Sequence, residues 1–135
     1  MRNKVLIIED DILLANSLSA NLNNVGVETV VSNIANDGLN IALNDSDIAL
    51  IFLDYIMPEK NGLEVLDTLK KHEETKDIPV VFLTNVDDEE IKSIGRDKGA
   101  FEYLVKSNIS VDTVIDITGR YIELPEIEIN GNIKD

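Results

Sequence analysis

The sequence predicts an α/β domain: a doubly wound parallel sheet with helices packed on both faces. Three observations predict it. Strand-like and helix-like stretches alternate five times along the 135 residues. Four of the strand-like runs, at 5–8, 48–53, 78–83 and 103–105, are apolar at successive positions rather than at every second one, as strands covered on both faces must be. Each of those four finishes in polar or charged residues: KVLII before Glu9-Asp10-Asp11, IALIFL before Asp54, IPVVFL before Thr84, and FEYLV before Lys106. Parallel strands need crossover connections, which the helical stretches supply. The carboxyl ends of an open parallel sheet lie along one edge, where ligands bind.

The elements follow in order. Residues 12–24 carry Leu13, Leu14, Leu18 and Leu22 at helical spacings, with Asp11 as the expected N-cap. The second strand is VETVVS. Asn36 is expected to cap a helix over 37–44, where Leu39, Ala42 and Leu43 share a face. Over 62–72, Leu63, Leu66 and Leu69 recur at threes and basic residues close the helix. Asp87 with Glu90 reads as a capping box for a helix to about Asp97, stopped by Gly99. Ser110 is expected to cap a last helix to about Tyr121, which Pro125 prevents from extending.

Residues 1–122 are thus expected to form one domain, and 123–135 a short tail too small for an effector domain. Around Asn130-Gly131, Ile127, Ile129 and Ile133 leave a hairpin or added strand as the alternative to a frayed end, which is the expectation.

Composition narrows the function. A formal charge of −14, with 12 basic residues scattered along the chain, excludes a nucleic-acid backbone or an anionic membrane as a direct partner. No apolar run approaches the ~18 residues needed to span a bilayer, and the stretch before the first strand is too short for a signal peptide. A cytoplasmic location is expected. The absence of cysteine excludes a disulfide framework and thiolate metal sites. With a single histidine, His72, and no cysteine, no Ser-His-Asp or Cys-His set competes, and the glycine-rich phosphate loops are missing.

What remains is the strand-end group. A lone strand-terminal aspartate ordinarily caps a turn. Here Glu9 and Asp10 end the first strand, which in the assumed order lies beside the strand ending in Asp54, so three carboxylates converge. Unpaired, they repel and raise one another's pKa. A hard divalent cation removes that cost, and Mg²⁺ takes one or two carboxylates while keeping waters that a phosphate oxygen can replace. Lys106 brings an ammonium to the same edge and Thr84 a hydroxyl. The set suits phosphoryl transfer to a carboxylate: a proton-free, solvent-reachable Asp54 attacks in line, and the cation and Lys106 stabilise the spreading charge.

These residues resemble the receiver domain of two-component response regulators, over 4–122. The resemblance is carried by Ile-Ile-Glu9-Asp10-Asp11, Leu-Asp54-Tyr-Ile-Met57-Pro58 with Gly62, Phe-Leu-Thr84, and Tyr103-Leu-Val-Lys106. It implies the flavodoxin-like (βα)5 fold with strand order 2-1-3-4-5, for which a receiver protein is itself a standard example. It implies Asp54 as phosphoacceptor and Mg²⁺ held by Asp10, Asp54 and the backbone carbonyl of Ile56, with Glu9 acting mostly through water. Asp11 is read as a cap. Thr84 and Tyr103 resemble the family's switch pair, with the ring turning into space that Thr84 vacates and so remodelling the surface of the fourth helix, fifth strand and fifth helix.

The implied protein is a switch, not a turnover enzyme. It would be phosphorylated by a sensor histidine kinase or phosphotransfer protein, would act on a downstream protein target, and would be a monomer or a phosphorylation-linked dimer. The alternative is a binding module that keeps the fold and works without phosphorylation. An aspartyl phosphatase is disfavoured, because Ile56 stands where such enzymes carry a second acid.

Three departures qualify the pattern. Ser107 replaces the usual proline after the lysine, so a trans bond is expected. Asn85 stands where a smaller residue is commoner and is expected to restrict access. Ile56 and Val86 present apolar side chains where polar ones position water, so slow self-dephosphorylation, over minutes or longer, is expected.

Overall fold

The computed structural model describes residues 2–85, 89–100 and 102–125, together with the backbone of 128–129 and 132–133. The elements run β1 (Lys4–Ile8), α1 (Ile12–Asn24), β2 (Glu28–Ser32), α2 (Ala35–Asn44), β3 (Ile48–Asp54), α3 (Gly62–Lys71), β4 (Val80–Thr84), α4 (Glu89–Asp97), β5 (Glu102–Val105) and α5 (Val111–Tyr121). The five strands are parallel, in the expected order β2-β1-β3-β4-β5. β1 and β3 are neighbours although β2 separates them in sequence. The strand order reverses at that seam, and a crevice opens there beyond the carboxyl ends.

The consecutive apolar runs split by residue parity into two cores. Leu6, Ile8, Ile51, Leu53, Val80 and Phe82 face one layer, packed with Ala35 and Leu39 of α2 and with Val65, Leu66 and Leu69 of α3. Val5, Ile7, Leu50, Phe52, Val81 and Leu83 face the other, packed with Ala15, Leu18 and Leu22 of α1 and with Val114 and Ile117 of α5. Neither face of β3 meets solvent, since all seven of its residues are buried. This is why the strands show no alternation.

Helix ends follow local chemistry with two corrections. Asp11, Asn61 and Ser110 cap α1, α3 and α5 through bonds to the N–H groups of Leu14, Glu64 and Thr113. Asn36 is not the cap of α2. That helix starts at Ala35, and the N-cap position falls on Ile34, whose side chain cannot accept a hydrogen bond. On α1, Leu13 is 82% exposed; the inward face is Ala15, Leu18 and Leu22, and Leu13 points away at the helix start. Asp87 of the expected capping box lies outside the described residues, as does Val86. Gly99 takes a φ of 102°, the left-handed conformation that ends a helix without a Cβ penalty. The Lys106–Ser107 bond is trans, as is every peptide bond among the described residues. In the tail, Glu128–Ile129 pairs antiparallel with Asn132–Ile133; the expectation of a frayed end falls largely on residues outside those described. Among the described residues no helix is long and apolar enough to cross a membrane.

Candidate functional site

Four strand ends bring their polar residues to one edge of the sheet. β3 delivers Asp54 at its last position, in register with Leu83 of β4. β1 ends at Ile8, and Glu9 continues the line by donating its N–H to the Ser32 carbonyl. Carboxylate oxygens of Glu9, Asp10 and Asp54 lie within 4.8 Å of one another, a span that one cation can bridge. β5 is the edge strand, yet the Lys106 stem crosses the end of β4 to reach the centre. Its Nζ lies 2.8 Å from Glu9 Oε1 and 3.0 Å from Asp54 Oδ1. Glu9 is fully buried, and its other oxygen accepts from the Asp11 N–H at 3.0 Å. The approach of Lys106 to Glu9 Oε1 is an ion pair rather than a well-angled hydrogen bond.

Asp54 departs from expectation. It is 2% exposed, and its Oδ2 is buried without a hydrogen-bond partner. Desolvation by burial, then the Asp10 and Glu9 carboxylates, push its carboxyl up from 3.8 to about 8, against the opposing pull of Lys106. An exposure of 2% corrects the expectation of a solvent-reachable carboxylate, and in the metal-free chain this burial favours the protonated form; the proton-free state is the one expected with a cation bound. The physical reason is burial first, and then two neighbouring carboxylates that a single ammonium does not offset. Asp10, which is exposed, is held below its ordinary value chiefly by Asp54 beside it. Burial alone would depress the Lys106 ammonium, but its contacts with Glu9 and Asp54 outweigh that and raise it.

Of the other expected residues, Thr84 is buried, and with Asp54, Tyr55, Ile56, Asn85 and Ile91 it lines one small cavity. Asn85 thus forms part of the cavity wall. The Ile56 side chain is 66% exposed, and its N–H donates to Asp54 Oδ1 at 3.3 Å. The Tyr103 ring is seated inward, 5.4 Å from Phe82 between centroids, and its hydroxyl donates to the Ile91 carbonyl of α4. Gly95 makes that seat, because a Cβ there would overlap the Tyr103 hydroxyl.

Three residues around the pocket escaped the sequence. Asn33 Nδ2 donates to the Glu9 carbonyl at 2.9 Å, and Glu59 Oε1 accepts from the Ala35 N–H at 2.7 Å. Gly95 is the third. No local signal pointed to Glu59, because its carboxylate reaches the start of α2 from another loop.

A family model described as "Response regulator receiver domain" matches residues 5–117. The chain belongs to the response regulator receiver family. Among curated relatives, the transcriptional regulatory protein CpxR of Klebsiella pneumoniae subsp. pneumoniae is 38% identical over 105 residues, 77% of this chain and 43% of the relative. The DNA-binding dual master transcriptional regulator RpaA of Synechocystis is 36% identical over 105 residues, 76% of this chain and 42% of the relative. The receiver chain thus spans less than half the length of these relatives. Among solved structures, the chemotaxis protein CheY4 of Vibrio cholerae superposes with a TM-score of 0.83 at 25% identity, covering 90% of this chain and 100% of that one. The receiver domain of Francisella response regulator 1452 gives 0.78 at 28% identity, covering 88% and 95%. Receiver domains are signalling switches of two-component systems, and this one carries the acidic cluster Glu9, Asp10 and Asp54.

Proposed function

We propose that this receiver domain is a phosphorylation switch in which Asp54 accepts a phosphoryl group from a sensor histidine kinase or phosphotransfer protein. The observation that carries the reading is the convergence of Glu9, Asp10 and Asp54 on one point, with Lys106 against two of them. The donor set is all oxygen, Asp54 Oδ2 is orphaned, and the trio has surplus negative charge, so the residues fit Mg²⁺. Asp10, Asp54 and the Ile56 carbonyl would hold it, with Glu9 acting through water. When bound, the cation supplies charge neutralisation for the acidic trio and for phosphoryl oxygens.

The chain's own residues do the rest. A carboxylate oxygen of Asp54 forms a bond to phosphorus as the bond to the donor imidazole nitrogen breaks and its electron pair leaves with the imidazole. Lys106 keeps its proton and pairs with the phosphoryl oxygens, and Thr84 donates its hydroxyl to one of them. The product is an acyl phosphate. Thr84 and Tyr103 then carry the change to the surface formed by α4, β5 and α5, where a downstream protein target would read it. Residues 1–122 form the switching unit and 123–135 an appendage. The acidic chain itself makes no direct contact with nucleic acid or membrane, and acts in the cytoplasm as a monomer or a phosphorylation-linked dimer.

A second reading, a binding module independent of phosphorylation, is favoured by two observations: Asp54 is buried, and Tyr103 occupies the inward seat that the resemblance assigns to the switched state. One experiment separates the readings. Beryllofluoride with Mg²⁺ should shift the amide NMR resonances of Thr84, Tyr103 and their neighbours in the wild type but not in Asp54→Ala. Identical spectra with and without the reagent would leave only the binding module.

A further inference from the structure

The loop from Tyr55 to Asn61 carries the Ile56 carbonyl, and most of its anchors lie at its two ends. The Tyr55 N–H donates to the Leu83 carbonyl at 2.8 Å, and the Gly62 N–H to the Tyr55 carbonyl at 2.6 Å. Asn61 caps α3, and Met57 is buried in the core. The solvent side of the loop is Pro58-Glu59-Lys60, and there Glu59 reaches to a different element. Its Oε1 accepts the Ala35 N–H at 2.7 Å, taking the cap position that Ile34 leaves empty on α2. Two residues before Ala35, Asn33 donates to the Glu9 carbonyl at 2.9 Å. Ser32 stiffens the turn between strand and helix by donating its hydroxyl to the Ile34 carbonyl at 2.8 Å. The connection runs from the β3–α3 loop, through the start of α2, to the backbone that bears Glu9 and Asp10.

We propose that Glu59 is a positioning residue for the divalent cation. By capping α2 from across the crevice, it fixes the spacing between the Ile56 carbonyl on one loop and the Glu9-Asp10 turn on another. The inference rests on the cation reading above and deepens it. A cation with strict octahedral demands gains from ligands held at a set separation. Here the two loops bearing those ligands share a brace, β2–α2, that contributes no ligand itself. Glu59 touches neither cation nor phosphoryl group. A carboxylate suits the position because it accepts from a helix N-terminus, where negative charge is favoured.

The test is Mg²⁺ titration by calorimetry at pH 8.5 on the full chain, with thermal melts of the metal-free proteins alongside. Glu59→Ala should weaken Mg²⁺ binding about tenfold, and Glu59→Gln, which keeps an acceptor oxygen, should stay within about threefold of wild type. A Glu59→Ala protein with a lower melting temperature but unchanged Mg²⁺ affinity would show a helix cap and nothing more, overturning the proposal. A Glu59→Gln protein as weak as Glu59→Ala would overturn it too, because the loss would then follow charge rather than the hydrogen bond. Should Glu59→Ala fail to fold, Asn33→Ala cuts the other half of the brace and carries the same expectation. A wild type that binds no Mg²⁺ would sink the cation reading itself, an outcome distinct from a variant that binds as well as wild type.

Discussion

Acidification should weaken Mg²⁺ binding, and the structure sets both slope and breakpoint. In the metal-free chain, burial and then the Asp10 and Glu9 carboxylates raise Asp54 from 3.8 to about 8. A cation needs that carboxyl ionised, so binding below the breakpoint expels a proton. The apparent affinity should fall tenfold per pH unit below about 8 and level off above it, leaving binding at pH 6 about a hundredfold weaker than at the plateau. At pH 7 about 0.9 proton should be released per Mg²⁺, measurable by calorimetry in two buffers of different ionisation enthalpy. Because Asp54 and Asp10 share the proton, the breakpoint belongs to the pair.

The same shift acts on stability. A carboxyl whose folded pKa is raised favours the folded state fully below its unfolded value near 3.8, and that contribution is lost as pH rises toward about 8. At 1.36 kcal/mol per unit the loss is at most about 6 kcal/mol. Asp54→Asn, which cannot ionise, should therefore stabilise the metal-free chain in urea at pH 8 by several kcal/mol more than at pH 4. Mg²⁺ affinity that is flat between pH 6 and 8, with no proton released, would refute the reasoning.

Other perturbations follow from single contacts. Lys106→Met leaves Glu9 buried without its cation and should cost about 3 kcal/mol in metal-free urea denaturation; a loss under about 0.5 kcal/mol would mean the pair is not desolvated as described. Gly95→Ala expels the Tyr103 ring from beneath α4. The gain of about 1 kcal/mol in helix propensity roughly offsets the lost ring contact, so iodide quenching of tyrosine fluorescence should rise while stability holds. Tyr121 donates to Glu102 at 2.7 Å, and burial, then that carboxylate, raise it to about 12. Absorbance titration at 295 nm should therefore lose a late-ionising phenol in Tyr121→Phe, and in Glu102→Gln that phenol should ionise earlier.

Much of this molecule is written in its local sequence. Runs such as IALIFL are apolar at every position because both faces of β3 are covered, and burial on two sides leaves a compositional mark that needs no coordinates. The strand-end residues Glu9, Asp10, Asp54, Thr84 and Lys106 were legible because parallel strands share one direction, so a chain-order pattern becomes a spatial edge. The caps read from sequence at Asp11 and Ser110 sit one position before their helices and satisfy N–H groups three residues away, which keeps their logic local.

Contacts across the fold left no such mark. Asn36 reads as a cap for α2, but the acceptor comes from Glu59, 24 residues along the chain; no local rule can rank a side chain delivered by another loop. Leu13 faces solvent because, at 3.6 residues per turn, it lies on the side of α1 opposite Ala15, Leu18 and Leu22; a strict periodicity, not the loose leucine spacing, would have placed it there. Gly95 matters only because Tyr103 from the next strand lies beneath it. Asp54 itself divides the two kinds of information. Its identity and place follow from sequence, since a carboxylate ending a buried strand needs only chain direction to locate it. Its proton was decided by tertiary structure, because desolvation depends on how closely Glu9, Asp10 and Lys106 are packed around it, and distances between strand ends are set by the whole sheet.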